Sequence, residues 1–223
     1  MKKLLLDAFL TNKEKLGKVS SWAVWENRSL GDYDSAVNTL NEIDSQSSLD
    51  SLNLNPNIVI LALNFADRTE DDLDSYVMNF QSFHEHVEGV QKNDDKLKAI
   101  CVDNNFLGAY LTDLVKYDED GKPRGYRNSN SQEVGKKLRK DSNYESVQIN
   151  NLIQELLELG VKNPLIISLG DEVKKSIQRN KQLLQSELGP DTNFKFIYHY
   201  SYRHKGNHDI EVYKQTVRKQ LMR

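Results

Sequence analysis

Apolar residues recur along this chain in two rhythms. Ile58-Val59-Ile60-Leu61-Ala62-Leu63 is a continuous apolar run bounded by Pro56 and Asn64, the pattern of a strand buried on both faces. Similar runs occur at 107–116, where polar residues gather toward the end, at 164–170, and from Phe194, where aromatic and β-branched residues pass without a turn into Tyr198-His199-Tyr200-Ser201. The other rhythm is helical. It places Leu5, Leu6, Phe9, Leu10 and Leu16 near one face over 3–16, Val37, Leu40 and Ile43 over 33–43, and Leu73, Val77 and Phe80 over 67–88. Further helices are predicted at 94–102, at 147–159 with Gly160 closing it, from Gly170 through 188, and at the end of the chain through Ile210, Tyr213, Val217 and Leu221.

Between these elements, Trp22 and Trp25 sit in a Ser-rich connection that they should pin to the core. Residues 44–57 read as a surface loop, and 117–131 as a loop on the face where the strands end. Strands separated by helices of this length predict a parallel sheet covered on both sides. The expected fold class is therefore α/β, a three-layer α/β/α sandwich around a four-stranded parallel central sheet. One domain spans 1–223, with 1–55 a helical decoration and 56–223 the core.

Composition narrows the function classes. A net charge of -3 disfavours wholesale electrostatic attachment to nucleic acid, so any such contact needs a local basic patch. A single cysteine, Cys101, excludes an internal disulfide and a four-thiolate metal site. Asp7 interrupts the apolar opening of the chain, and no run approaches the roughly 20 residues needed to cross a bilayer. The expectation is a cytoplasmic monomer without a membrane partner.

Parallel strands deliver their C-terminal ends to one edge, so Asn64, Asp113, Lys116, His199 and Ser201 should converge there. Asn64-Phe65-Ala66-Asp67 has no glycine, and Gly170-Asp171-Glu172 lacks the repeated glycines and lysine of a nucleotide loop. No Gly-x-Ser-x-Gly elbow occurs. No cofactor is expected. Metal ligation by His199, His204, His208 and Asp209 is an alternative with loose spacing and no second cluster.

The strand ends Leu-Asn, Tyr-Leu-Thr-Asp-Leu-Val-Lys, Ser-Leu-Gly and His-Tyr-Ser, in that order, resemble the uracil-DNA glycosylase superfamily over residues 56–221. Asn79, Phe80 and His84, in Met-Asn-Phe-Gln-Ser-Phe-His, resemble an Asn-Phe-His element of a bacterial branch that also has Thr-Asp where others have Thr-Asn. The resemblance implies a cofactor-free DNA base-excision enzyme. Asn64 would hold the attacking water, His199 would stabilise the charge on the departing base, and Asp113 would read the base edge. Asn79 and His84 would help bind that base, with Phe80 or Phe65 stacking on it. Ser201, Arg203, Lys205 and Lys116 would meet the DNA backbone, although Lys116 could instead pair with a nearby acid.

This chain departs from the superfamily's pattern in three places: Phe65-Ala66 follows the first polar residue, Tyr200 replaces a proline, and Asp113 replaces an amide. A carboxylate offers only acceptors, whereas uracil shows an O4 acceptor beside its N3–H donor. A charged Asp113 therefore suits a guanine-like edge of adjacent donors, and uracil fits only if burial keeps the acid protonated. The competing class is a nucleobase- or nucleic-acid-binding protein on the same fold without turnover.

Overall fold

The computed structural model describes residues 4–25, 34–64, 66–67, 79–80, 82–84, 93–116, 126–127, 131–201 and 209–222. In chain order its strands are β1 (Ser20–Trp22), β2 (Asn55–Asn64), β3 (Ala66–Asp67), β4 (Ala109–Val115), β5 (Tyr126–Arg127), β6 (Leu165–Leu169) and β7 (Asn193–Ile197). The helices are α1 (Leu6–Leu16), α2 (Asp34–Asn41), α3 (Gln46–Ser51), α4 (Asn93–Asp103), α5 (Ser131–Lys140), α6 (Ser142–Glu158), α7 (Asp171–Arg179), α8 (Lys181–Leu188) and α9 (Ile210–Leu221).

Each continuous apolar run became a strand, and β2, β4, β6 and β7 are mutually parallel in the order β4-β2-β6-β7. The most apolar run, β2, is central. Strand alternation explains its composition: Val59 and Leu61 belong to one hydrophobic cluster, Ile60 and Ala62 to the other. The first cluster takes in Phe9 of α1, Val134 of α5, Leu152 of α6, Val173 of α7 and Leu184 of α8. Leu97 and Ile100 of α4 and Tyr213 and Val217 of α9 pack on the second face. Helices thus lie on both sides, as the α/β/α layering requires.

The sheet is nevertheless mixed and five-stranded, not purely parallel and four-stranded, because β1 pairs antiparallel with β4. A three-residue strand with two serines leaves no alternation to read. Burial holds it in place: Trp22 is fully buried, its ring 4.9 Å from that of Tyr110 and 6.2 Å from that of Phe9. Residues 1–55 are therefore more than a helical decoration.

Other differences have local causes. The helix expected from Gly170 through 188 breaks at Asn180, whose side chain turns back to the Ser176 carbonyl at 3.0 Å. Two of the apolar residues assigned to the α1 stripe, Leu5 and Leu10, are exposed. Part of the loop expected at 44–57 is α3, capped reciprocally by Ser45 and Ser48. The helix expected over 67–88 lies mostly outside the described residues. Where it is described, at 79–80 and 82–84, the chain turns, with Phe80 at φ 63° and Phe83 at φ 69°.

Candidate functional site

The order β4-β2-β6-β7 has a switch point: the chain leaves β2 for β4 on one side, then crosses to β6 on the other. In such sheets the crevice between the two diverging strands, at their C-terminal ends, is where ligands bind. Here those ends are Asn64 on β2 and Leu169-Gly170 on β6.

Asn64 pairs across the sheet with Val115, and Ala62 with Asp113. Paired residues share a face, and so do residues two apart on one strand. Asp113, paired with Ala62, therefore lies on the face that carries Ile60 and Ala62, whereas Asn64, two residues further along, ends its strand beside Val115 of the first cluster and beside α5. The Asn64 Oδ1 accepts a hydrogen bond from Ser131 Oγ at 3.0 Å, at the first residue of α5.

β6 stops at Leu169, two residues below the level of Asn64. Gly170, at φ 89°, turns the chain into α7, a conformation that L side chains rarely adopt. Its amide donates to the Ile197 carbonyl at 3.0 Å, fastening β6 to the end of β7. The only described atom within 4 Å of a Cβ built on Gly170 would be the Cβ of His199, at 3.7 Å. His199, two residues past β7, thus stands across the bare Gly170 backbone from Asn64. The separation is two strand spacings, about 10 Å between backbones.

The His199 ring has a defined tautomer. Ser201 donates its backbone N–H to Nδ1 at 3.2 Å, and its hydroxyl lies 2.8 Å from the same nitrogen. A backbone amide can only donate, so Nδ1 is an acceptor and the proton sits on Nε2. Burial among protein atoms holds the imidazole down to about 4, neutral at pH 7. Tyr200 stacks on the ring at 4.2 Å, and its carbonyl accepts from the Lys96 ammonium at 3.3 Å.

Asp113 is buried, with 3% exposure, and its carboxyl has no hydrogen bond to a described residue. Desolvation pushes it up to about 7; Lys116 pulls it down and Glu155 pushes it up again. At neutral pH the neutral acid is therefore a substantial species, which both donates and accepts.

Lys116 is not at the surface, which corrects its assignment to the DNA backbone. Its ammonium is buried and ion-paired with Glu155 Oε2 at 2.5 Å, and it donates to Thr112 Oγ1 at 2.9 Å and the Asp113 carbonyl at 2.6 Å. Such a charge cannot meet a phosphate without abandoning its partner, and the pairing with an acid is what occurs.

The Asn-Phe-His element is also displaced from its expected place. Phe80 is fully buried, its ring 5.5 Å from that of Phe9 and its amide bonded to the Gly17 carbonyl. The Asn79 carbonyl accepts from Asn41 Nδ2 at 2.7 Å. His84 Nε2 lies 3.0 Å from the Trp22 carbonyl. These contacts line the outer side of β1, whereas His199 follows β7. The two outermost strands are four spacings apart, about 19 Å. Asn79, Phe80 and His84 therefore cannot share one nucleobase-sized cavity with His199, and Phe80 is a core residue.

Phe65, Arg203 and Lys205 lie outside the described residues, as do His204, His208 and most of the 117–131 loop. Ser201 is exposed. Among the described residues no group of three metal-ligating side chains assembles. Gly170, Ser131 and Glu155 were not anticipated. Glu155 did leave a signal, an acid on the apolar stripe of Ile149, Leu152 and Leu156 along α6.

Comparison of the chain with family models, with curated proteins and with solved structures finds no match. No helix among the described residues is long and apolar enough to cross a membrane.

Proposed function

We propose that the protein hydrolyses the N-glycosidic bond of a base flipped out of DNA. The observation that carries this reading is the neutral His199 with its proton on Nε2, at the level of Asn64 and with its Cβ beside the bare Gly170 backbone that separates the two strands. Such a bond breaks through an oxocarbenium-like sugar, so the protein must chiefly stabilise an anionic base and orient a water. A neutral imidazole that donates from Nε2 supplies the first, and the Asn64 amide the second. Asp113, deeper at the same end of the sheet, reads the base edge. Its neutral form matches an acceptor beside a donor, as in uracil, and its carboxylate matches two donors. Arg203 and Lys205, beyond His199 in sequence, meet the flanking phosphates.

A second reading, a nucleobase-binding protein without turnover, is favoured by one contact. The Asn64 oxygen that would hold the water already accepts from Ser131. Abasic-site formation on oligonucleotides carrying uracil or modified purines separates the two. The enzyme reading expects release by the wild type and its loss in His199→Ala and Asn64→Ala. Release that survives both substitutions would refute the site, and binding without release would leave the second reading.

A further inference from the structure

The buried charges under β4 touch no part of the crevice, yet they converge on Asp113. Glu155 reaches inward from α6 and gathers three partners. Tyr110 and Thr112 each donate to its Oε1 at 2.7 Å, and Lys116 meets its Oε2 at 2.5 Å. Asn12 of α1 extends the chain by donating to the Tyr110 hydroxyl at 2.8 Å. Tyr110 and Thr112 alternate with Leu111 and Asp113 along β4, so this network lies on the opposite side of the strand from the Asp113 carboxyl. The link between the two sides is the Asp113 peptide, whose carbonyl accepts from Lys116 Nζ at 2.6 Å.

A buried ion pair is seldom retained for stability, because well-packed apolar residues of similar volume often serve as well. This pair closes onto the backbone of the one carboxyl that the candidate site needs. Resting on the reading of Asp113 as the base-edge reader, we infer that Lys116 and Glu155 are its positioning pair: they clamp the β4 backbone at Asp113 and set the charge balance around its carboxyl. Base preference then depends on two residues that never meet a ligand.

The charged groups around Asp113 make the direction of the effect definite. Lys116 favours the carboxylate and Glu155 the neutral acid. The flanking residues of β1 and β2 are Ser20, Ser21, Trp22 and Ala62, all uncharged. On the face of the sheet that Asp113 shares, α4 carries the buried Asp95, Lys96 and Lys98. Removing the Glu155 charge leaves Lys116 unopposed and stabilises the Asp113 carboxylate.

The test is a carbon-13 titration of the Asp113 carboxyl in the full chain, which needs no turnover, run beside the pH profile of base release. Glu155→Gln should move the titration to lower pH, and the alkaline limb of release from uracil should move with it. The double variant Lys116→Met/Glu155→Leu removes both charges and keeps the fold if the single variant does not. It should exchange the amide hydrogens around Asp113 at least about tenfold faster than the wild type. An unmoved titration in folded Glu155→Gln, or wild-type exchange in the double variant, would overturn the inference. A moved titration with no base released from any oligonucleotide would leave the positioning pair standing and remove the glycosylase reading.

Discussion

Two histidines on opposite margins of the sheet, His84 buried and His199 half-buried, show how little residue type and a lowered pKa say about role. His84, beside β1, and His199, beyond β7, are both held down to about 4 by desolvation. At His84 the ring nitrogen near the backbone is Nε2, facing a carbonyl, so that nitrogen must donate. Its proton is consumed by the fold. Nδ1 has no hydrogen-bond partner among the described residues, and the ring meets that of Trp25 edge to face, with centroids 5.1 Å apart. At His199 the backbone group is an amide, so the ring accepts and the proton is carried on Nε2. The group that meets the ring, carbonyl or amide, separates a structural histidine from one able to act on a ligand.

Exchanging the two substitutions gives the sharpest test of that contrast. His199→Ala should lower base release roughly 100- to 1,000-fold, the range for losing one preorganised donor, with almost no change in stability. His84→Ala should lower stability by about 1–3 kcal/mol in denaturant melts, through a lost hydrogen bond and an unfilled space. The Val24 amide still bonds the Trp22 carbonyl in that variant, which limits the cost. If His84→Ala abolished release while leaving stability intact, the contrast would be broken.

Asp113 provides the next test, and its sign opposes that of the histidines. Its folded pKa is raised from 3.8 to about 7. The neutral acid's contribution is therefore full below about 4 and is lost as pH rises through 7. Asp113→Asn should stabilise the protein on the order of 2–4 kcal/mol at pH 8, and the gain should shrink by pH 5, as denaturation at the two pH values would show. The histidines, lowered from 6.5 to about 4, contribute stability above 6.5 that is lost as pH falls toward 4. Release from uracil should accordingly be confined between limbs near 4 and 7, whereas an edge with two donors should be processed better above 7.

The smallest effects test the tautomer. Ser201→Ala removes one neighbour of Nδ1 but keeps the backbone N–H that fixes the ring, so release should stay within roughly threefold of wild type. Ser131→Ala removes one donor from the Asn64 oxygen at a cost of about 1 kcal/mol or less. Faster release in that variant would show that Ser131 competes with the water.

The sequence made the strands legible because burial on both faces writes an uninterrupted apolar run, and it made the common level of Asn64 and His199 legible because parallel strands end at one edge. It did not reveal partners distant along the chain. Lys116 reads as an exposed cation until Glu155, from a helix far along the sequence, is folded against it. The Asn-Phe-His element was misplaced for the same reason, since its neighbours are Gly17, which closes α1, and Ser21 and Trp22 of a strand too short and too polar to announce itself.

That short strand has an effect beyond geometry. An open margin of a sheet is a template on which another polypeptide can add itself, the first step of many misassemblies. Beside β4 the template is already occupied by Ser20–Trp22. The next layer outward is a turn that spends its groups on the Gly17 and Trp22 carbonyls and the Ser21 hydroxyl. A freshly synthesised chain that closes this flank early denies its neighbours a place to add on.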